Sequence, residues 1–77
     1  MTSFDRFRLN LPLALACSSQ SWLDLSRSLG TSSSYMSRVK SGEVIPSLVR
    51  CEEISHALGF ELSELILPVE EFRSRFL

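Results

Sequence analysis

Two short apolar runs in the middle of the chain are each opened by a serine and closed by a glycine: Ser21 to Gly30, and Ser32 to Gly42. That punctuation permits only short helices. Ser21 followed by Asp24 is a variant of the capping box, in which the hydroxyl and the acid satisfy each other's backbone amides, and Gly30 is a natural C-terminal stop. Ser32 caps the next run in the same way, with Gly42 as its end. Leu25 and Leu29 give the first helix its inward side, and Met36 and Val39 do so for the second. Only a turn separates the two. At 77 residues the chain is near the size at which a single apolar core barely suffices, so it is expected to be one domain without a second lobe.

The flanking sequence continues the pattern of short helices, with no strand alternation and no internal repeat. Phe4, Phe7, Leu11 and Leu15 recur at helical spacing, with Ala14, Ala16 and Cys17 adding small apolar surface. This predicts a helix over residues 4–18, irregular at Pro12 or else starting near Asn10 with the proline in its first turn. After Pro46, the residues Leu48, Cys51, Ile54, Ser55 and Leu58 share one face of a fourth helix that Gly59 ends. Ser63, Leu65 and Ile66 open a short fifth. Pro68 then starts a final helix with Glu70 and Glu71 at the positive end of its dipole and Arg73 and Arg75 at the negative end. The predicted class is all-α.

Net charge is −1, which taken alone speaks against a nucleic-acid partner. Its distribution speaks the other way. Arg27, Arg38, Lys40 and Arg50 face Glu43 alone in the middle of the chain, whereas glutamates dominate from Cys51 onward. Two helices joined by a tight turn, the second presenting small and basic side chains outward, form a helix-turn-helix, whose second helix enters the DNA major groove. With Met36 and Val39 inward, Ser33, Ser34, Ser37 and Arg38 face out, with Ser41 beside them. Short hydroxyl side chains let a helix approach base edges closely and can donate or accept. The Arg38 fork matches the two acceptors of guanine. Lys40, Arg27 and Arg50 are suited to phosphates, as are the helix starts at Ser21 and after Pro46, where Ser47 stands.

The stretch "SWLDLSRSLGTSSSYMSRVKSGEVIPSLVRCEEISHALGFELSELI", Ser21 to Ile66, resembles the Cro/lambda-repressor-like (XRE-type) helix-turn-helix family, with Leu25, Leu29-Gly30, Tyr35-Met36-Ser37-Arg38, Gly42, Pro46-Ser47-Leu48 and Ala57-Leu58-Gly59 in the family's pattern. The resemblance implies a compact five-helix DNA-binding domain over residues 1–67, its helix-turn-helix core at 21–42, and a short C-terminal helix over 68–77. It implies that Ser33, Ser34, Ser37 and Arg38 face bases while Tyr35 and the loop from Ser41 to Pro46 face the DNA backbone. It implies a repressor, of phage, plasmid or restriction-modification controller type, binding a two-fold symmetric operator as a homodimer in the cytoplasm, at the nucleoid. Departures are Lys40 where the family often has Glu, Leu15 near where it supplies an Arg, Trp22 in place of a phosphate-contacting Gln, and Glu43 in place of a basic loop residue. The Trp22 indole can serve phosphate or packing.

The dimer surface is expected on the tail, where Val69, Phe72 and Phe76 repeat at helical spacing beside Leu77, joined by Leu65 and Ile66. No catalytic constellation emerges: the adjacent acids Glu52-Glu53 and Glu70-Glu71 point apart, and His56 lacks a second ligand at metal spacing. Cys17 and Cys51 form neither a metal motif nor a disulfide framework, which fits a reducing compartment, and the apolar run from Leu11 to Cys17 is too short for a membrane span. No cofactor, metal or signal peptide is expected. Two other readings stay open: an antitoxin that also regulates its own promoter, with a toxin or anti-repressor protein as partner, and a protein-interaction module on the same scaffold.

Overall fold

The computed structural model describes residues 1–77 as six helices and no strand: α1 (Ser3–Ser18), α2 (Trp22–Leu29), α3 (Ser33–Ser41), α4 (Leu48–Ala57), α5 (Leu62–Leu65) and α6 (Val69–Phe76). The cap residues explain most of these boundaries. The Ser21 hydroxyl accepts from the Asp24 amide at 3.0 Å while the Asp24 carboxylate accepts from the Ser21 amide at 3.0 Å. Thr2 and Asp5 build the same box at the start of α1, and the Ser32 and Ser47 hydroxyls cap α3 and α4. Gly30 ends α2 at φ +69° and Gly42 ends α3 at φ +85°, a left-handed backbone that residues with a Cβ rarely adopt. Beyond Gly30 the Thr31 amide reaches back to the Ser26 carbonyl, and beyond Gly42 the Glu43 amide reaches the Arg38 carbonyl, so both helix ends are closed by the same wrap-around bond.

α1 is the central element, packing on α3, α5 and α6, while α2 packs on α3 and α4. Phe7, Leu11, Leu25, Met36, Ile54, Leu65 and Phe72 are fully buried in one core that draws on all six helices. Pro12 sits inside α1, which continues through it. The ring removes the bond back to the Arg8 carbonyl, and because Pro12 lies on the exposed side, water can take that carbonyl.

Side chains of α1 hold the far end of the fold. Asn10 is fully buried, and its Nδ2 donates to the carbonyls of Leu65 at 3.0 Å and Leu67 at 2.9 Å. Arg6 Nε donates to the Ile66 carbonyl at 2.7 Å. Three carbonyls left over where α5 ends are thus satisfied by two side chains one turn apart on a single face of α1. At the opposite end, Gln20 Nε2 donates to the Ala57 carbonyl at 2.9 Å and ties the α1–α2 turn to the end of α4.

Several expectations need correction. Leu48 belongs to the predicted inward face of α4, yet it is 71% exposed, because the first turn of that helix overhangs the core. Ala16 and Cys17, read as small apolar surface of α1, are exposed, with the Cys17 thiol 3.6 Å from the Phe76 carbonyl at the end of α6. Leu65 and Phe72, predicted at a dimer surface, are fully buried within the single chain. Phe72 lies tilted against Phe60 at 5.5 Å and against Phe76 at 4.8 Å, and Phe76 meets Phe60 edge-on at 5.0 Å. The apolar stripe of α6 is therefore used up against its own domain, and residues 68–77 are part of the core and not an appendage to it. Ile66 and Phe76 are half-buried against the core, Val69 is half-buried at its edge, and Leu77 is exposed.

Candidate nucleic-acid interface

The outward side of α3 follows from its buried side. Met36 and Val39 enter the core with Tyr35 half-buried beside them, and the remaining six residues of α3 are all exposed. Four are serines. The Ser32 and Ser34 hydroxyls bond each other at 3.1 Å, and the Ser41 hydroxyl turns back to the Arg38 carbonyl at 3.1 Å. Ser33 and Ser37 have hydroxyls with no protein partner. Of the expected base-facing serines, these two are the ones whose hydrogen-bonding capacity is free.

Arg38 is exposed and its Nε rests on the Ser34 carbonyl at 3.4 Å, one turn back along α3, which leaves both terminal guanidinium nitrogens unpaired. No carboxylate neutralises it. Across the helix, Lys40 places its ammonium 4.9 Å from the centre of the Trp22 ring. Trp22, Ser33, Ser34, Ser37 and Lys40 together line an open depression of about 210 Å³ between α2 and α3. An exposed cation such as Lys40 over the half-buried Trp22 ring is attracted by roughly 0.5–1 kcal/mol, little enough to be given up to a stronger anionic partner. The indole N–H of Trp22 has no acceptor in the protein, so the depression offers an ammonium, an indole donor and free hydroxyls side by side.

The helix starts differ in what they offer an anion. At the start of α2, which the sequence suggests as a phosphate site, the Asp24 carboxylate accepts from the Ser21 amide. The Ser21 amide and hydroxyl hold the Asp24 carboxyl below its ordinary range, so this helix start carries a fixed negative charge. The start of α3 has no acid in its first turn and neither does that of α4, so both leave amides for an incoming anion. Ser47 contributes its hydroxyl to the Arg50 amide at 3.2 Å, which makes it a cap of α4; any backbone contact there falls to the amides that follow it.

Arg50 is corrected as well. Its guanidinium donates to the Leu29 carbonyl at 3.3 Å, pairs with Glu53 at 3.6 Å and lies 5.9 Å from the Tyr35 ring centre. It fastens the end of α2 to α4 beside the half-buried Tyr35, whose hydroxyl has no protein partner. Arg27 is exposed with no ion pair, as a phosphate-facing cation requires. The ion pair that an α1 arginine and an α3 glutamate would make has no counterpart here, and Lys40 goes to Trp22 instead. His56 bonds only the exposed Glu61. No cluster of three or more His, Cys, Asp or Glu side chains could hold a metal, and no helix is long and apolar enough to cross a membrane.

No protein-family model, curated protein or solved structure matches the chain.

Proposed function

We propose that this chain is a sequence-specific DNA-binding regulator of transcription, acting as a repressor by covering a promoter, with α3 as the helix that enters the major groove. The observation that carries the reading is the outer surface of α3, which has no acid, two hydroxyls free of protein partners at Ser33 and Ser37, and an unneutralised guanidinium at Arg38. The B-DNA major groove is about 12 Å wide, and a helix whose outward side chains are serines is thin enough to reach its floor. Serine hydroxyls meet either donors or acceptors on base edges, and Arg38 selects guanine. Lys40, Arg27 and the amides at the starts of α3 and α4 hold phosphates and fix the register. Similarity of Ser21 to Ile66 to the Cro/lambda-repressor-like pattern supports the same assignment.

Selection of bound duplexes from a random pool tests it. The expected result is a short motif containing a guanine in each half, whose recognition weakens at that position alone in Arg38→Ala, by roughly 1–3 kcal/mol. Recovery of a pool with no enriched motif would reject sequence-specific binding.

A further inference from the structure

The second depression on the molecule is unlike the first. It has a volume of about 270 Å³, and seven of its nine lining residues are hydrophobic. Phe4 and Phe7 come from α1, Leu62 from α5, and Pro46 and Leu48 from the loop before α4 and its first turn. Phe7 is 1% exposed and so lies at the floor, whereas Leu48 is 71% exposed and stands at the rim. Leu48 is on the inward side of α4 yet does not pack against the core, because the cavity lies between that first turn and α1. No lining residue is charged, but one cation is bonded to the lining. Arg6 does not itself line the cavity; its Nη2 donates to Ser3 Oγ at 3.4 Å and its Nε to the Ile66 carbonyl at 2.7 Å, and Ser3 and Ile66 both line it. Arg6 has no ion pair within the chain.

We infer that this cavity binds a small amphipathic carboxylate, its apolar body seated against Phe7, Leu48 and Leu62 and its head turned to Ser3 and Arg6. The inference does not depend on the DNA-binding reading. Size selects a small molecule. An apolar cavity of roughly 150 Å³ holds a benzene, so one of about 270 Å³ holds nearly twice that body, or about ten carbons. A partner helix, about 10 Å across, would lie over the rim and leave the Phe7 floor uncovered. The lining selects an apolar body with one polar end, since a largely hydrophobic wall with a few polar groups to fix orientation is the usual form of a small-ligand site. Such a body also covers Leu48, the apolar side chain that the fold leaves in water. Charge selects the head. Ser3 brings a hydroxyl to the lining, and the Arg6 guanidinium beside it makes no hydrogen bond through Nη1 within the chain. A guanidinium fork suits a carboxylate, whereas an ammonium head would meet like charge with no acid in the lining to offset it. The cavity shares no lining residue with the depression at Trp22, so a carboxylate here does not compete for the α3 surface.

Isothermal titration of the full chain with sodium decanoate, kept below its micelle concentration, tests the inference. Saturable binding at one site per chain is expected, with decylammonium binding at least about tenfold more weakly to the same wild-type protein. Leu48→Gln should lower decanoate affinity by about tenfold or more, and Leu48 is exposed, so circular dichroism should be unchanged. Leu23→Gln, at an exposed leucine of α2 outside the cavity, should leave affinity as in wild type. Cys51 gives a second readout, because its half-buried thiol lines the cavity and burial holds its pKa up, so alkylation is slow and sensitive to cover. In a Cys17→Ser chain, where Cys51 is the one thiol, saturating decanoate should slow alkylation by iodoacetamide by roughly fivefold or more. A wild-type chain with no saturable binding overturns the inference, as does binding that Leu48→Gln leaves intact. Decylammonium that binds as tightly as decanoate overturns the carboxylate head. Cys51 protection that grows with protein concentration and ignores decanoate would assign the cavity to another chain and overturn the inference as well.

Discussion

Asn10→Asp exchanges one atom, the Nδ2 that donates to the Leu65 and Leu67 carbonyls, for an oxygen that cannot donate. The side chain is fully buried, so no water replaces the lost donor. One buried carbonyl, of Leu65, and one part-buried, of Leu67, lose their partner, at about 1–3 kcal/mol for the buried one and less for the other, and an ionised carboxylate would lie against both of them. Against a total stability of roughly 4–12 kcal/mol for a chain of this size, a loss of about 3–5 kcal/mol at neutral pH brings it close to unfolding. The carboxyl escapes part of the penalty by staying protonated, since its neutral form has one O–H to donate. Its folded-state pKa is therefore raised above the unfolded value, so its contribution is most favourable below about pH 4 and is lost as pH rises through the folded pKa. Urea denaturation from pH 3.5 to 7.5 is the assay. The variant should gain on acidification relative to wild type, and Asn10→Ala should be destabilised with no such pH dependence of the difference. An Asn10→Asp variant within about 0.5 kcal/mol of wild type at pH 7 would refute the latch between α1 and the end of α5.

Wild type has the opposite acid behaviour: Asp5 and Asp24 are held below their ordinary range by the Thr2 and Ser21 caps, so their contribution is present above the unfolded carboxyl pKa and fades as pH falls through the lowered values, visible as a falling Tm below about pH 4. Phe72→Ala should cost about 3–5 kcal/mol in chemical denaturation without altering the dissociation constant of any dimer per folded chain; an unchanged midpoint would return Phe72 to the surface. Arg50→Ala removes the clamp on Leu29 and Tyr35 and should lower Tm by about 4–8 °C, with Arg27→Ala as a thermally silent comparison.

The chain's punctuation was legible because capping is local. Ser21 with Asp24, Ser32, Gly30, Gly42 and Pro68 each act within a few residues, and the helix boundaries they imply are those found. Where a long-range partner decides, the sequence is silent. Asn10 reads as a polar residue on an apolar stripe until carbonyls fifty-five and fifty-seven positions away come to meet it. Arg50 reads as a phosphate-facing cation until α2 and α3 are packed beside it. The stripe of α6 has the same periodicity whether a neighbouring helix or a second chain covers it, and only the rings of Phe60, Phe72 and Phe76 in contact show which. Leu48 fails for a related reason, since periodicity gives the face of a helix but not how far the body beneath it extends. At the candidate interface, the outward side of α3 followed from Met36 and Val39. Which serines are free did not, because the Ser32–Ser34 and Ser41–Arg38 bonds depend on rotamers.

The most direct test of the central claim is a fluorescence-anisotropy titration of the duplex selected from the random pool with wild type and with Ser33→Glu. Ser33 is exposed at the start of α3, where an acid suits the helix dipole, so the fold should be kept or slightly stabilised. If α3 enters the major groove, the new carboxylate meets phosphates and base acceptors, and binding should be lost while circular dichroism and Tm hold. Equal affinity of the two proteins for that duplex, both folded, would contradict the account.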